Sequence, residues 1–412
     1  MNPTINKYEY WFVMLIPVIN IMVPFFIGDI EPRGIHLGTI RGGVLLVFCI
    51  YFIVKRFPLD EVNLYILFFL LYLLILIPFS DNPISSLYSY NRVVISTLMF
   101  SVGYYYIRTL DDLRNLNTIF VVTTAIICIY LVYTNLFNIG ISSYLDGTFY
   151  TGVVNVNITK TLAAILITFP SIYLFKKTND KLTIAIFVLS LIFILLGLKR
   201  AALLSVVSGT IIYVLLSYQK TRILKAATIL ASLLILLSPI YLDTLLDRYE
   251  KRERAVQATV NPKQSAEMRV DRIGEFIHIV DIMRSEDVYT KLFGKNLFNI
   301  VGVIEGFGGR GRPLHVDYSV YLYSSGMVGL FLFLSLYLVI HYEKQKYYKY
   351  IKMIPWTREL NAVFYAIIGL AMVMSIAGSW AAIELRTIIL MYLGAITGVF
   401  YTEYEKQINK HE

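Results

Sequence analysis

Apolar residues in this 412-residue chain come in long, nearly uncharged runs instead of alternating with polar ones. A run of about 20 apolar residues is the length that crosses the hydrocarbon core of a bilayer as an α-helix. Twelve spans read out on this basis, at about 10–27, 37–54, 62–79, 93–107, 118–137, 161–175, 182–198, 201–217, 223–242, 316–340, 360–377 and 383–401. The pattern predicts an all-α polytopic membrane protein, a single integral membrane domain over residues 1–412. The fourth and sixth spans are short, and only Lys199 and Arg200 separate the seventh from the eighth. The first run lacks a basic start and a small-residue cleavage site, so no cleavable signal peptide is expected.

One long polar segment, 243–315, interrupts the spans. It starts strongly charged ("DRYEKRERAVQ") and then turns amphipathic. Between Ser265 and Met283, Ile273, Phe276, Ile277, Val280 and Met283 recur at helical spacing, with Arg269 projected onto that face and Arg272 at its edge. Glu275 and His278 project away from it.

Basic residues orient the spans. With a cytoplasmic N-terminus, 18 of the 37 Lys and Arg fall in cytoplasmic segments, including Lys344, Lys346, Lys349 and Lys352. Seven lie in short outer segments and adjoining helix ends: Arg33, Arg41, Arg92, Lys160, Lys199, Arg200 and Arg386. The remaining 12 sit in the long outer loop, and long loops cross regardless of charge. Both termini are thus expected in the cytoplasm and the loop on the outer side. The net charge of +9 is then mainly an orientation signal, not a nucleic-acid footprint.

Composition agrees: 57% of residues are hydrophobic and 16% charged, against about a quarter charged in soluble domains. Cys49 and Cys128 both lie inside apolar runs, without metal-ligand spacing. The 32 tyrosines suit helix ends at a membrane interface.

Ionisable groups that persist beside a bilayer are costly and mark candidate sites. The outer-end cations, apart from Arg33, join Arg269, Arg272, Arg310 and Arg312 of the loop as a candidate cationic pocket. Phosphate head groups are its natural ligands, because the planar guanidinium fork pairs bidentately with phosphate oxygens. The segment "GFGGRGRPLHVDYSV", residues 306–320, sets glycines and arginines before His315 and Asp317 where the chain re-enters the membrane. Asp317, Glu275 and Glu384 are the outer carboxylates best placed as bases, and Glu384 is a natural partner for Arg386. No Walker loop, zinc-type His/Glu motif, Gly-x-Ser-x-Gly or paired-Asp metal motif occurs in the outer loops. With no ATP outside the cytoplasm, a reaction there needs an already activated substrate such as a lipid pyrophosphate sugar.

Four stretches resemble the O-antigen polymerase and O-antigen ligase family of bacterial membrane glycosyltransferases. "LLGLKRAALLSVVSG" is similar to an apolar run followed by Ser-Arg-Gly/Ala, with Lys199 replacing Ser. "MRVDRIGEFIHIVDIM" followed by "LFGKNLF" resembles the segment in which an Arg precedes an aromatic by four. "LHVDYSVYLYSSGMVGLFLFL" resembles His-Asn-x-Tyr-Leu with a later Gly-x-x-Gly, Val316 replacing Asn. "VNVNITKTLAAILITFP" resembles the entry to the sixth span. The Arg-x10-Gly spacing described for polymerases is absent from the fifth-to-sixth-span loop and from the long loop.

The resemblance covers about residues 155–400 and implies a metal-independent glycosyltransferase of the inner membrane, without cofactor. The pyrophosphate-binding arginine falls on Arg200 and the catalytic histidine on His315. The loop arginine is either Arg272, which has Phe276 four residues on, or Arg269. Arg310, Arg312, Lys199, Arg92, Lys160, Asp317 and Glu275 complete the expected substrate-binding set. The implied reaction polymerises a surface polysaccharide, moving a glycan from undecaprenyl pyrophosphate to a sugar hydroxyl of a second lipid-linked repeat unit. A ligase acting on a lipid A core acceptor is the alternative, and a flippase or other transporter is a third class. Implied partners are lipid-linked oligosaccharides, membrane lipid and a chain-length regulator protein, with no nucleic acid.

Overall fold

The computed structural model describes residues 6–26, 37–139, 150, 158–175, 181–197, 200–217, 246, 272–300, 302–305, 311–312, 314–378 and 382–409. Its helices are α1 (Lys7–Phe26), α2 (Leu37–Lys55), α3 (Glu61–Leu76, continued by a 3-10 turn, Ile77–Phe79), α4 (Pro83–Tyr106), α5 (Leu110–Leu136), α6 (Ile158–Phe175), α7 (Lys181–Leu196) and α8 (Arg200–Leu216). They continue as α9 (Arg272–Ser285), α10 (Val288–Phe293), α11 (Asp317–Ile351), α12 (Pro355–Ala377) and α13 (Ile383–Ile408). Among the described residues five helices are long and apolar enough to cross a membrane: α3 with its 3-10 turn, α5, α11, α12 and α13. The protein is thus helical and membrane-embedded. The ninth expected span, 223–242, lies outside the described residues.

Local chemistry sets the helix ends. Asp60 caps α3 by accepting from the Asn63 N–H, and Asn82 caps α4 ahead of Pro83. Thr109 and Asp112 form a capping box at the start of α5. Asn82 and Pro83 start α4 ten residues earlier than the apolar run suggests, because capping and not hydropathy decides where a helix begins.

The core is built around α13, whose residues from Ile383 to Phe400 are all buried. It runs parallel to α4 at very short range. An added Cβ on Gly394 would fall 2.0 Å from the Phe100 carbonyl oxygen, and one on Gly103 2.1 Å from that of Met391. Gly394 and Gly398 form a small-xxx-small face of the kind that lets membrane helices approach backbone to backbone. α8 lies antiparallel to α12, with Tyr213 and Ser217 hydroxyls donating to Glu359 Oε2 at 3.0 and 2.7 Å.

α11 departs from the expected straight span at 316–340. It extends to Ile351 and is broken at Gly326 (φ 67°, ψ −168°). Tyr321 stacks on Phe333 with ring centroids 4.3 Å apart. Twelve residues along a continuous helix would separate them by about 18 Å, so residues 317–325 fold back against the rest of α11. The extension takes in Lys344, expected in a cytoplasmic loop. It is fully buried, donating to Asn361 Oδ1 at 2.5 Å and the Tyr365 hydroxyl at 3.1 Å.

Backbone groups opened by the break are satisfied from outside the helix. Tyr72 donates its hydroxyl to the Ser325 carbonyl at 2.6 Å, and the Lys295 N–H reaches the Tyr323 carbonyl at 2.7 Å. Gly294, the positive-φ residue ending α10, packs its backbone against Gly326: an added Cβ on Gly326 would meet the Leu292 carbonyl oxygen at 2.3 Å. The loop helices are therefore seated on the break. A two-residue antiparallel pair, β1 (Ile304–Glu305) with β2 (Gly311–Arg312), brackets the Gly/Arg segment.

Candidate functional site

The site forms where the start of α11 meets α9, the C-terminus of α12 and the start of α13. Val316 is the N-cap residue of α11 and has no side-chain cap of its own. The carboxylate of Glu275, reaching over from α9, binds the backbone just ahead of the helix. Its Oε1 accepts the backbone N–H groups of both His315 and Val316 at 2.7 Å each. Glu275 is fully buried, and a buried carboxylate is tolerable only when hydrogen-bonded in this way. Its Oε2 lies 3.7 Å from Arg272 Nη1 and 3.9 Å from His315 Nδ1.

This corrects the helical-wheel reading of the loop. The inward stripe of α9 runs through Glu275, Ile279 and Met283, while Ile277 is 54% exposed. Met283, Phe276 and Val280 of the expected stripe do face the core; the difference is that Glu275, expected to project away, lies on the inward face.

His315 is held on a second side by Gly378, just beyond α12. Gly378 has φ +83°, and an added Cβ would lie 1.8 Å from the His315 carbonyl oxygen. The same glycine's carbonyl accepts Lys160 Nζ at 2.7 Å. Lys160, 8% exposed, thus fastens α6 to the end of α12, where a cation also suits the negative pole of the helix. The imidazole itself stays 40% exposed.

Asp317 pairs with Arg386 of α13 at 2.6 Å, and both are buried. Glu384 is the partner that sequence suggests for Arg386; the fold-back of α11 brings in Asp317, a partner 69 residues away. Its guanidinium also sits 5.2 Å from the Phe333 ring. Lys160 interacts electrostatically with Asp317, Arg272 and Glu384, and Arg41 with Glu384 and Arg92. Arg41 donates to the Asn20 carbonyl at 3.0 Å, and Arg92 lies 4.6 Å over the Tyr88 ring. Five cations and three carboxylates from six helices therefore share one end of the molecule.

The site is recessed. The contact of Gly394 with Phe100 puts Arg386 level with Arg92, since each lies eight residues earlier on parallel helices. α4 continues nine residues above Arg92, about 14 Å, whereas α13 begins three residues above Arg386, about 5 Å.

Of the residues expected from sequence, His315, Arg272, Glu275, Asp317 and Lys160 come together here, with Arg92 at the periphery. Arg200 begins α8, and the antiparallel register of α8 against α12 brings its backbone toward the C-terminal turn of α12. Arg312 lies on β2, opposite Ile304. Lys199, Arg269 and Arg310 lie outside the described residues. Sequence reasoning missed Gly378, although a glycine directly after an apolar helical run is a recognisable C-terminal signal.

A half-exposed imidazole beside a buried carboxylate, ringed by guanidinium and ammonium groups in a recess, can bind an anion and transfer a proton next to it. Fold and site together define a membrane-embedded helical protein with a charged recess at one end. No protein-family model and no curated protein matches the chain.

Proposed function

We propose that the protein is a glycosyltransferase of the bacterial inner membrane, acting on its periplasmic face through twelve spans with both termini cytoplasmic. It polymerises a surface polysaccharide by moving a glycan from undecaprenyl pyrophosphate to a sugar hydroxyl of another lipid-linked unit. The observation that carries this reading is the convergence of His315, Arg272, Lys160 and the Asp317–Arg386 pair in one recess. Arg272 and Arg200 bind the pyrophosphate and stabilise the charge that develops as it departs, the large electrostatic term in such reactions. His315 removes the proton from the attacking hydroxyl. Glu275 and Asp317, considered as alternative bases, are engaged by backbone N–H groups and by Arg386, so structural roles suit them better.

The experiment is reconstitution of purified protein with lipid-linked repeat units, with and without a lipid A core acceptor. Longer lipid-linked chains are the expected product. Transfer only to the core makes the protein a ligase, and no transfer to either acceptor overturns the reading. A transporter is the second reading, favoured by the helix break at Gly326 in the helix that also carries a buried ion pair, since broken helices form many transport sites. Movement of lipid-linked units across the bilayer without glycan transfer would support it.

A further inference from the structure

The two oxygens of Glu275 face different groups. Oε1 accepts two backbone N–H groups at the N-terminus of α11, whereas Oε2 faces the Arg272 guanidinium and His315 Nδ1. Hydrogen bonds from N–H groups to a carboxylate contribute more than neutral ones, and here one side chain secures the two residues that carry the imidazole. The carboxylate belongs to α9, so the loop helix and the start of α11 are fixed by the same atoms. An imidazole with a carboxylate on its Nδ1 side presents Nε2 on the opposite edge of the ring.

We propose that Glu275 is the positioning residue for His315: Oε1 fixes its backbone, and Oε2 turns Nδ1 inward so that Nε2 meets the acceptor hydroxyl. The assignment rests on the glycosyltransferase reading for what Nε2 does, but not for how the ring is held. The surrounding charges are Arg272 on α9, Lys160 on α6, Asp317 on α11, and Arg386 and Glu384 on α13. Glu275 lies in ion-pair range of the ring, its Oε2 3.9 Å from Nδ1.

Glu275→Gln separates the two jobs. Its amide oxygen still accepts the backbone N–H groups, while an NH2 donor replaces Oε2. The variant is expected to unfold thermally like the wild type and to keep KM within about two-fold while kcat falls about ten-fold or more. A nearby carboxylate favours the protonated imidazole, so its loss moves the acid limb of the pH–rate profile to lower pH. Glu275→Ala loses the clamp as well and is expected to lower both thermal stability and activity. His278→Ala, on the exposed side of α9, is expected to behave like the wild type.

A readout independent of turnover is the 15N spectrum of histidine-labelled protein, with His315 assigned by difference from His315→Ala. The Nδ1–H form is expected to dominate in the wild type and to give way to Nε2–H in Glu275→Gln. An unchanged tautomer, or unchanged kcat and pH profile in an active enzyme, overturns the proposal. An inactive wild type with the expected tautomer change overturns the glycosyltransferase reading and leaves the positioning role standing.

Discussion

His315 is fixed through its backbone from two directions. Glu275 takes its N–H, and Gly378 lies against its carbonyl oxygen. Gly378 is therefore as constrained as any charged group at the site, although it has no side chain. Gly378→Ala adds a Cβ both at positive φ and into the His315 carbonyl. A left-handed non-glycine residue costs about 1–3 kcal/mol before any clash is counted. The expected result is a lowered thermal transition in detergent together with loss of activity, read by unfolding and turnover on the same preparation. Candidacy of His315 was legible in sequence, because glycines, arginines and a span entry surround it locally. The constraint at Gly378 was not legible, since it arises from contact with a residue 63 positions earlier. The Asp317–Arg386 pair escaped for the same reason: local spacing offered Glu384, and only the fold-back of α11 supplies Asp317.

At the scale of elements, two packing devices position the site. One is the glycine contact between α4 and α13. Gly394→Leu would drive a side chain into the Phe100 backbone, 2.0 Å from where its Cβ begins. The helices are expected to separate, costing several kcal/mol as severe overpacking does, with aggregation or lost folded yield on size-exclusion chromatography. The other device is the seat of α10 on the break in α11. Asp287 caps α10, accepting the Thr290 N–H at 2.6 Å, and the Thr290 hydrogen bonds hold its carboxylate below the usual 3.8. A depressed value means that this stabilisation is present above the ordinary carboxylate range and is lost as pH falls through the folded value. Asp287→Asn keeps an acceptor without a titrating group. It is expected to flatten the part of the acid-dependent loss of thermal stability, below about pH 4, that Asp287 contributes. Hydropathy located most helices, since a run of apolar residues is a strong signal. It could not find the break, because the apolar run resumes directly after "YSSG" and the backbone turn depends on Gly294 packing opposite.

Across the whole molecule, charge distribution and fold lead to one arrangement: a recess at one end of a helical bundle, with the loop helices packed on α11. The basic segments expected at the opposite end fix the orientation proposed for it. Cysteine labelling from either side of the membrane is the check. A cysteine at Arg284, on the exposed side of α9, is expected to react with an impermeant reagent from the periplasm, and one at Lys406 from the cytoplasm. The reverse pattern would put the recess in contact with ATP and remove the reason for a lipid-pyrophosphate donor. The most direct measurement follows undecaprenyl pyrophosphate release and chain growth by wild type, Arg200→Ala and His315→Ala, purified in equal folded amounts. Wild type is expected to release the lipid pyrophosphate with each added unit, and both variants to lose at least about 100-fold in rate. Wild-type chain lengths and rates in both variants would contradict the assignment of this recess as the site of glycan transfer.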